Sequence, residues 1–66
     1  MSYAYSMEMN RFDLIMARVD AWAANHDGWD CRADASAELD FCLEAYPDWS
    51  DDRLLDAAID AWLLAE

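Results

Sequence analysis

Apolar residues recur every three or four positions in three segments of the chain, and this spacing places them on one side of an α-helix. The first segment predicts a helix over residues 6–26, with Ser6 as its N-cap residue. Its apolar side is formed by Phe12, Ile15, Met16, Val19, Trp22 and Ala23. Gly28 follows this segment, and we expect it to adopt the left-handed conformation in which many helices end.

The second segment predicts a helix over residues 31–46, with Asp30 as its N-cap and Pro47 as the residue that stops it. Its apolar side is formed by Cys31, Ala35, Leu39, Cys42, Leu43 and Tyr46. The third segment predicts a helix over residues 51–65, with Ser50 as its N-cap. Its apolar side is formed by Leu54, Leu55, Ala58, Ile59 and Trp62.

Two short connections join the three predicted helices, and each carries a tryptophan directly before the expected N-cap, Trp29 in one and Trp49 in the other. Short connections make consecutive helices antiparallel neighbours. The chain has one Gly and one Pro, too few for the many turns of an all-β domain. Residues 1–66 are therefore predicted to form a single all-α domain, a small three-helix bundle in which the two tryptophans close the ends of the core.

Acidic side chains are in large excess. The 66 residues include 15 Asp and Glu against four basic residues, all of them Arg, so the formal net charge at pH 7 is -11. Such a charge keeps a protein soluble, but the repulsion between like charges opposes the compact state. A domain of this size has only about 3–5 kcal/mol of core stability to set against that repulsion. The excess is either a solvated acidic surface or a binding surface for a basic partner.

The carboxylates of the second and third predicted helices are spaced four residues apart. They form the sets Asp34 and Glu38, Asp40 and Glu44, and Asp52, Asp56 and Asp60. This spacing stacks side chains about 6 Å apart on one helix face, where like charges destabilise the helix by a few tenths of a kcal/mol per pair. Because few cations are interleaved, we predict that these carboxylates form a partner-binding surface.

Phe41 is a large apolar residue that the predicted second helix directs away from its apolar side. Two interpretations are open. Either Tyr3 and Tyr5 of the N-terminal segment fold over the Phe41 ring, or the ring is exposed and anchors a partner. Aromatic residues dominate the hot spots of protein interfaces. We therefore count Phe41 among the predicted partner-binding residues.

The sequence contains no recognisable set of catalytic or metal-binding residues. His26 is the only histidine, and no second His or paired Cys accompanies it as zinc binding requires. Cys31 and Cys42 lie on one predicted helix about 16 Å apart, which is too far for a disulfide. No segment resembles a membrane span or a signal peptide. We expect a protein that is not an enzyme and has no catalytic residues, metal or cofactor.

Small size, acidic excess, absence of lysine and an all-helical fold together resemble the phage-encoded anti-CRISPR and anti-restriction proteins that imitate nucleic acid. The resemblance covers the whole chain and rests on no motif, so no residue role carries over. The chain is more similar to the anti-CRISPR proteins, because anti-restriction mimics tend to be larger. The resemblance implies a stoichiometric inhibitor that blocks the DNA-binding or PAM-reading groove of a CRISPR surveillance complex in the cytoplasm of an infected bacterial host.

The partner implied by this resemblance is a basic nucleic-acid-binding protein, namely a CRISPR effector subunit. We expect the inhibitor to be a monomer that binds neither nucleic acid nor membranes, because both surfaces are anionic. Two alternatives stay open. An immunity protein or antitoxin would neutralise a basic toxin or nuclease through a partly apolar contact, and a structural protein would form homo-oligomers.

Overall fold

The structure is a computed structural model that describes residues 10–66. Within this range the chain forms three α-helices, α1 (Arg11–Ala23), α2 (Arg32–Ala45) and α3 (Asp51–Ala65), with a 3₁₀ turn (Trp29–Cys31) directly before α2. These residues include no β-strand. The predicted all-α three-helix bundle is confirmed.

Helix α1 is shorter than predicted at both ends. Asn10 has an extended backbone, and its side chain accepts a hydrogen bond from the Asp13 backbone N–H at 2.9 Å, so Asn10 is the N-cap. The predicted cap Ser6 lies outside the described residues. The helix ends at Ala23, and Gly28 has the expected left-handed conformation (φ 88°), but it introduces the 3₁₀ turn instead of ending α1.

Asp30 is not the N-cap of α2, which corrects the sequence prediction. The backbone N–H of Cys31 donates to the Gly28 carbonyl at 2.8 Å, and this bond closes a tight 3₁₀ turn that contains Asp30. Cys31 is the N-cap of α2 without a side-chain hydrogen bond. The prediction for α3 is confirmed, because the Ser50 hydroxyl accepts a hydrogen bond from the Arg53 N–H at 3.2 Å.

The core consists of residues from the apolar sides of all three predicted helices. Its buried members are Ile15, Met16, Val19, Ala23, Cys31, Ala35, Leu39, Cys42, Leu54, Ala58 and Trp62. Tyr46, which the sequence placed on the apolar side of α2, is instead 43% exposed. Helix α2 ends at Ala45, and the Tyr46 backbone (φ -133°, ψ 65°) turns its side chain out of the helical register.

The tryptophans of the two connections differ in how they meet the core. Trp49 packs against the buried cluster while partly exposed, as predicted. Trp29 is 52% exposed and touches Trp62 edge-on, with ring centroids 5.7 Å apart. Trp29 therefore covers only part of the core at its end of the bundle.

Candidate partner-binding surface

The predicted acidic site residues are all exposed, but the structure brings only some of them together. The full set is Asp34, Glu38, Asp40, Glu44, Asp52, Asp56 and Asp60. Asp34 and Glu38 of α2 lie across from Asp60 of α3, where the two helices pack side by side. These three carboxylates line two adjoining shallow depressions that share Glu38, Ala61 and Leu64.

We name these two adjoining depressions together the α2–α3 groove. It is lined by Asp34, Ala37, Glu38, Ala57, Asp60, Ala61, Leu64 and Ala65. Its larger part has a volume of about 450 Å³. The alanines have short side chains, so the longer carboxylate side chains and Leu64 provide most of the groups that a partner would touch. Leu64 is 87% exposed.

Asp40 and Glu44 lie on a different side of α2. Each residue turns an α-helix by about 100°, so the direction of Asp40 differs from that of Glu38 by about 200°. The two acidic sets on α2 therefore point in different directions, although each has the same internal spacing. The sequence showed the spacing within each set but not which set would face α3.

The acidic set on α3 turns gradually around its helix. Asp52 forms an ion pair with Arg18 of α1, with 3.0 Å between Nη2 and Oδ1, so it lies on the α1 side. Each step of four residues rotates the direction by about 40°. This rotation carries Asp60 to the α2 side, where it lines the groove, and leaves Asp56 exposed between the two.

Three of the four arginines join α1 to the rest of the bundle. Arg32 of α2 donates to both carboxylate oxygens of Asp20 in α1, at 2.6 and 3.0 Å. Arg11 of α1 donates to Asp51 of α3 at 2.7 Å. Together with the ion pair between Arg18 and Asp52, these contacts hold α1 against α2 and α3.

The groove carboxylates have no cationic partner among residues 10–66. The fourth arginine, Arg53, places its guanidinium carbon 4.2 Å from the ring centroid of Trp49 and forms no ion pair within this range. The arginine ion pairs found here use Asp20, Asp51 and Asp52, and Glu66 contacts His26; none of these four carboxylates lines the groove. The negative charge of the groove is therefore not neutralised by side chains of residues 10–66.

Two buried thiols belong to the core, and one of them contacts a groove carboxylate. Cys31 and Cys42 are both free, and burial raises the pKa of each thiol. The Cys42 thiol also donates a hydrogen bond to Glu38 Oε2 at 3.5 Å, which further raises its pKa. Both side chains are therefore neutral thiols at pH 7, and one of them contacts a groove carboxylate from the core side.

The Asp20–Arg32 contact gives a test of pH-dependent stability. Hydrogen bonding from Arg32 lowers the pKa of Asp20 below its ordinary 3.8. A carboxyl group with a lowered folded-state pKa stabilises the protein above its unfolded-state pKa, and this contribution is lost as pH falls through the folded-state value.

We expect Asp20→Asn to lower the free energy of unfolding by about 0.5 kcal/mol at pH 7, since both side chains are partly exposed and screened by solvent. The loss should shrink in urea titrations repeated below about pH 4. Asp56→Asn, at an exposed carboxylate, is the matched control and should show no loss at either pH. An Asp20→Asn loss that stays constant with pH would contradict this assignment.

An exposed aromatic cluster lies at the end of α2 that leads into α3. Phe41 is 59% exposed and Tyr46 is 43% exposed. Their rings meet edge-on with centroids 6.4 Å apart, and Tyr46 stacks on Trp49 at 4.3 Å. The exposed ring of Phe41 agrees with the second of the two alternatives above, whereas Tyr3 and Tyr5 lie outside the described residues.

The opposite end of the bundle has a cavity of about 500 Å³. Its lining is Asn25, His26, Asp27, Gly28, Asp30, Cys31, Ala65 and Glu66. His26 Nε2 lies 2.5 Å from Glu66 Oε2, and the His26 ring stacks on Trp22 with centroids 4.5 Å apart. Residues 10–66 contain no group of three potential metal ligands, here or elsewhere.

Comparison with protein-family models, with curated proteins and with solved structures finds no match to this chain. Among residues 10–66, no helix has the length and apolar character needed to cross a membrane. Because no relative indicates a function, the surface features that bear on it are the α2–α3 groove and the exposed aromatic cluster.

Proposed function

We propose that this protein is a stoichiometric inhibitor that occupies the nucleic-acid-binding groove of a basic protein in place of nucleic acid. The observation that supports this function is the location of the cations. Three arginines form ion pairs between α1 and the other helices, and the fourth covers Trp49. The α2–α3 groove retains Asp34, Glu38 and Asp60 without a cationic partner in the described range. A cleft that holds phosphates presents Lys and Arg side chains, which complement such a groove.

The target that we favour is the DNA-binding or PAM-reading groove of a CRISPR surveillance complex in the cytoplasm of an infected bacterial host. The net charge of -11 on 66 residues and the resemblance to anti-CRISPR proteins support this choice. In one well-studied effector, arginines read the PAM before the guide RNA pairs with the target. An acidic inhibitor at that position would stop recognition before pairing begins. It would act as a monomer, without catalysis or a cofactor.

The proposal is tested by competition with DNA for a purified surveillance complex. The groove variant Asp34→Asn/Glu38→Gln/Asp60→Asn replaces three carboxylates with amides of nearly the same shape. We expect about tenfold weaker inhibition, because the amides no longer pair with cations of the target. A tenfold loss corresponds to about 1.4 kcal/mol of binding free energy. The wild-type protein should inhibit at one molecule per site, and its affinity should fall steeply as salt is added.

A control variant separates the groove from the overall charge. Asp13→Asn/Asp40→Asn/Asp56→Asn changes the net charge by the same amount at exposed positions that do not line the groove. We expect it to inhibit nearly as well as the wild type. Equal losses in both variants, or no loss in either, would contradict the groove as the binding site. Absence of inhibition by the wild type would contradict the proposed target.

A second candidate function is that of an immunity protein or antitoxin that neutralises a basic toxin or nuclease. The exposure of the aromatic rings of Phe41 and Tyr46 favours it, because such a contact is shaped and partly apolar. Phe41→Ala distinguishes the two functions. For a nucleic-acid mimic this change should cost less inhibition than the groove variant, and for an immunity protein it should cost more.

A further inference from the structure

Four side chains form a continuous stack where α2 leads into α3. The ring of Phe41 meets Tyr46 edge-on at 6.4 Å, Tyr46 lies nearly parallel to Trp49 at 4.3 Å, and the Arg53 guanidinium lies 4.2 Å from the Trp49 ring centroid. We name Phe41, Tyr46, Trp49 and Arg53 the aromatic stack. One end of it carries a cation, and the other end, at Phe41 and Tyr46, is exposed.

The contact between Arg53 and Trp49 shows which chemical group this stack attracts. A guanidinium within about 6 Å of an aromatic ring centroid is held by the negative face of the ring. Arginine is better suited to this contact than lysine, because its charged group is planar and only weakly hydrated. The exposed rings of Phe41 and Tyr46 present the same type of surface to a second guanidinium that comes from outside the chain.

The charges around the exposed end favour a cation and oppose a phosphate. Glu38 and Glu44 each lie three residues from Phe41 on α2, and residues at this spacing are neighbours on a helix surface. Both side chains are exposed. A guanidinium placed on the Phe41 ring therefore has carboxylates within reach, and hydrogen bonds between these groups are among the strongest in proteins.

We propose that Phe41 and Tyr46 form an arginine-binding site that takes a guanidinium side chain of the protein partner. This inference rests on the proposed function only in that the partner is a basic protein. It adds a contact that selects arginine over lysine, whereas the carboxylates of the α2–α3 groove attract both.

The test uses two fluorescently labelled peptides, one of eight arginines and one of eight lysines, with the full chain. Anisotropy titrations at low salt should show about fivefold tighter binding of the arginine peptide, which corresponds to about 1 kcal/mol of cation–π stabilisation. In Phe41→Leu/Tyr46→Leu, which keeps the net charge and apolar side chains, the two affinities should become nearly equal. Phe41→Leu alone should reduce the preference by part of this amount.

Three outcomes would overturn the site. The first is equal binding of the two peptides by the wild type, and the second is an arginine preference that persists in both ring variants while circular dichroism shows that they are folded. The third is binding of a single-stranded thymidine oligonucleotide that both ring variants lose, because bases also stack on exposed aromatic rings. The variant Asp34→Asn/Asp60→Asn, which removes two groove carboxylates and keeps Glu38 beside Phe41, should weaken both peptides equally and keep their ratio, so that failure of the groove and failure of this site are separate results.

Discussion

Replacing Trp62 with alanine is expected to leave most of the protein unfolded at 25 °C. The Trp62 side chain is 0% exposed, and its ring meets Trp22 and Trp29 edge-on at centroid distances of 5.4 and 5.7 Å. Truncating a buried tryptophan costs about 3–5 kcal/mol, and a core of this size supplies only about 3–5 kcal/mol of stability. Far-UV circular dichroism and urea titration measure the loss directly.

Two control variants test why Trp62 has this effect. Trp62→Phe keeps an aromatic ring but loses the hydrogen bond that Nε1 donates to the Asp27 carbonyl at 3.3 Å, and it should cost about 1–2 kcal/mol. Trp29→Ala truncates a ring that is 52% exposed and should cost less than Trp62→Ala. A folded Trp62→Ala protein with an unchanged urea midpoint would contradict the assigned core.

Arg11→Met is expected to lower the free energy of unfolding by about 2 kcal/mol, which is the usual size for hydrogen bonds from a charged group. The Arg11 guanidinium donates to Asp51 at 2.7 and 3.0 Å, to the Trp49 carbonyl at 2.8 Å and to the Pro47 carbonyl at 3.3 Å. One side chain thereby fixes the connection between α2 and α3 against α1. Its 40% exposure limits the loss.

Arg11→Lys should recover little of this stability, because a single ammonium group cannot match the planar set of donors that reaches several acceptors at once. Arg18→Met is the control. Arg18 makes one ion pair, with an Asp52 side chain that is 83% exposed, so its loss should be less than about 0.5 kcal/mol. Urea titrations in which Arg11 and Arg18 give equal losses would show that Arg11 does not organise this connection.

Helix boundaries were predicted correctly where one strong N-cap residue had no neighbouring residue or turn that could take its place. Helix α3 begins and ends at the predicted residues, because Ser50 is a strong N-cap and Pro47 keeps the preceding helix from continuing. The starts of α1 and α2 differ from prediction because other residues form the caps. Asn10 caps α1 through the Asp13 N–H, and the 3₁₀ turn after Gly28 moves the start of α2.

The candidate site was predicted only in part. The excess of carboxylates and their spacing were clear from the sequence, whereas the exposure of Phe41 was one of two alternatives that the sequence left open. The groove formed by Asp34, Glu38 and Asp60 was not, because it depends on which sides of α2 and α3 meet. Tyr46 was assigned to the core from the helical spacing, but it directly precedes Pro47, which disfavours helical backbone at the residue before it, and the helix ends at Ala45.

The sequence by itself determined that the chain forms three amphipathic helices with a large acidic excess, because periodicity and charge are properties of each segment alone. Only the tertiary structure decided which carboxylates pair with arginines and which line the α2–α3 groove. Those contacts join residues that are far apart in the chain, such as Arg11 and Asp51. They depend on how each helix is rotated about its axis, and the packing of the shared core sets that rotation.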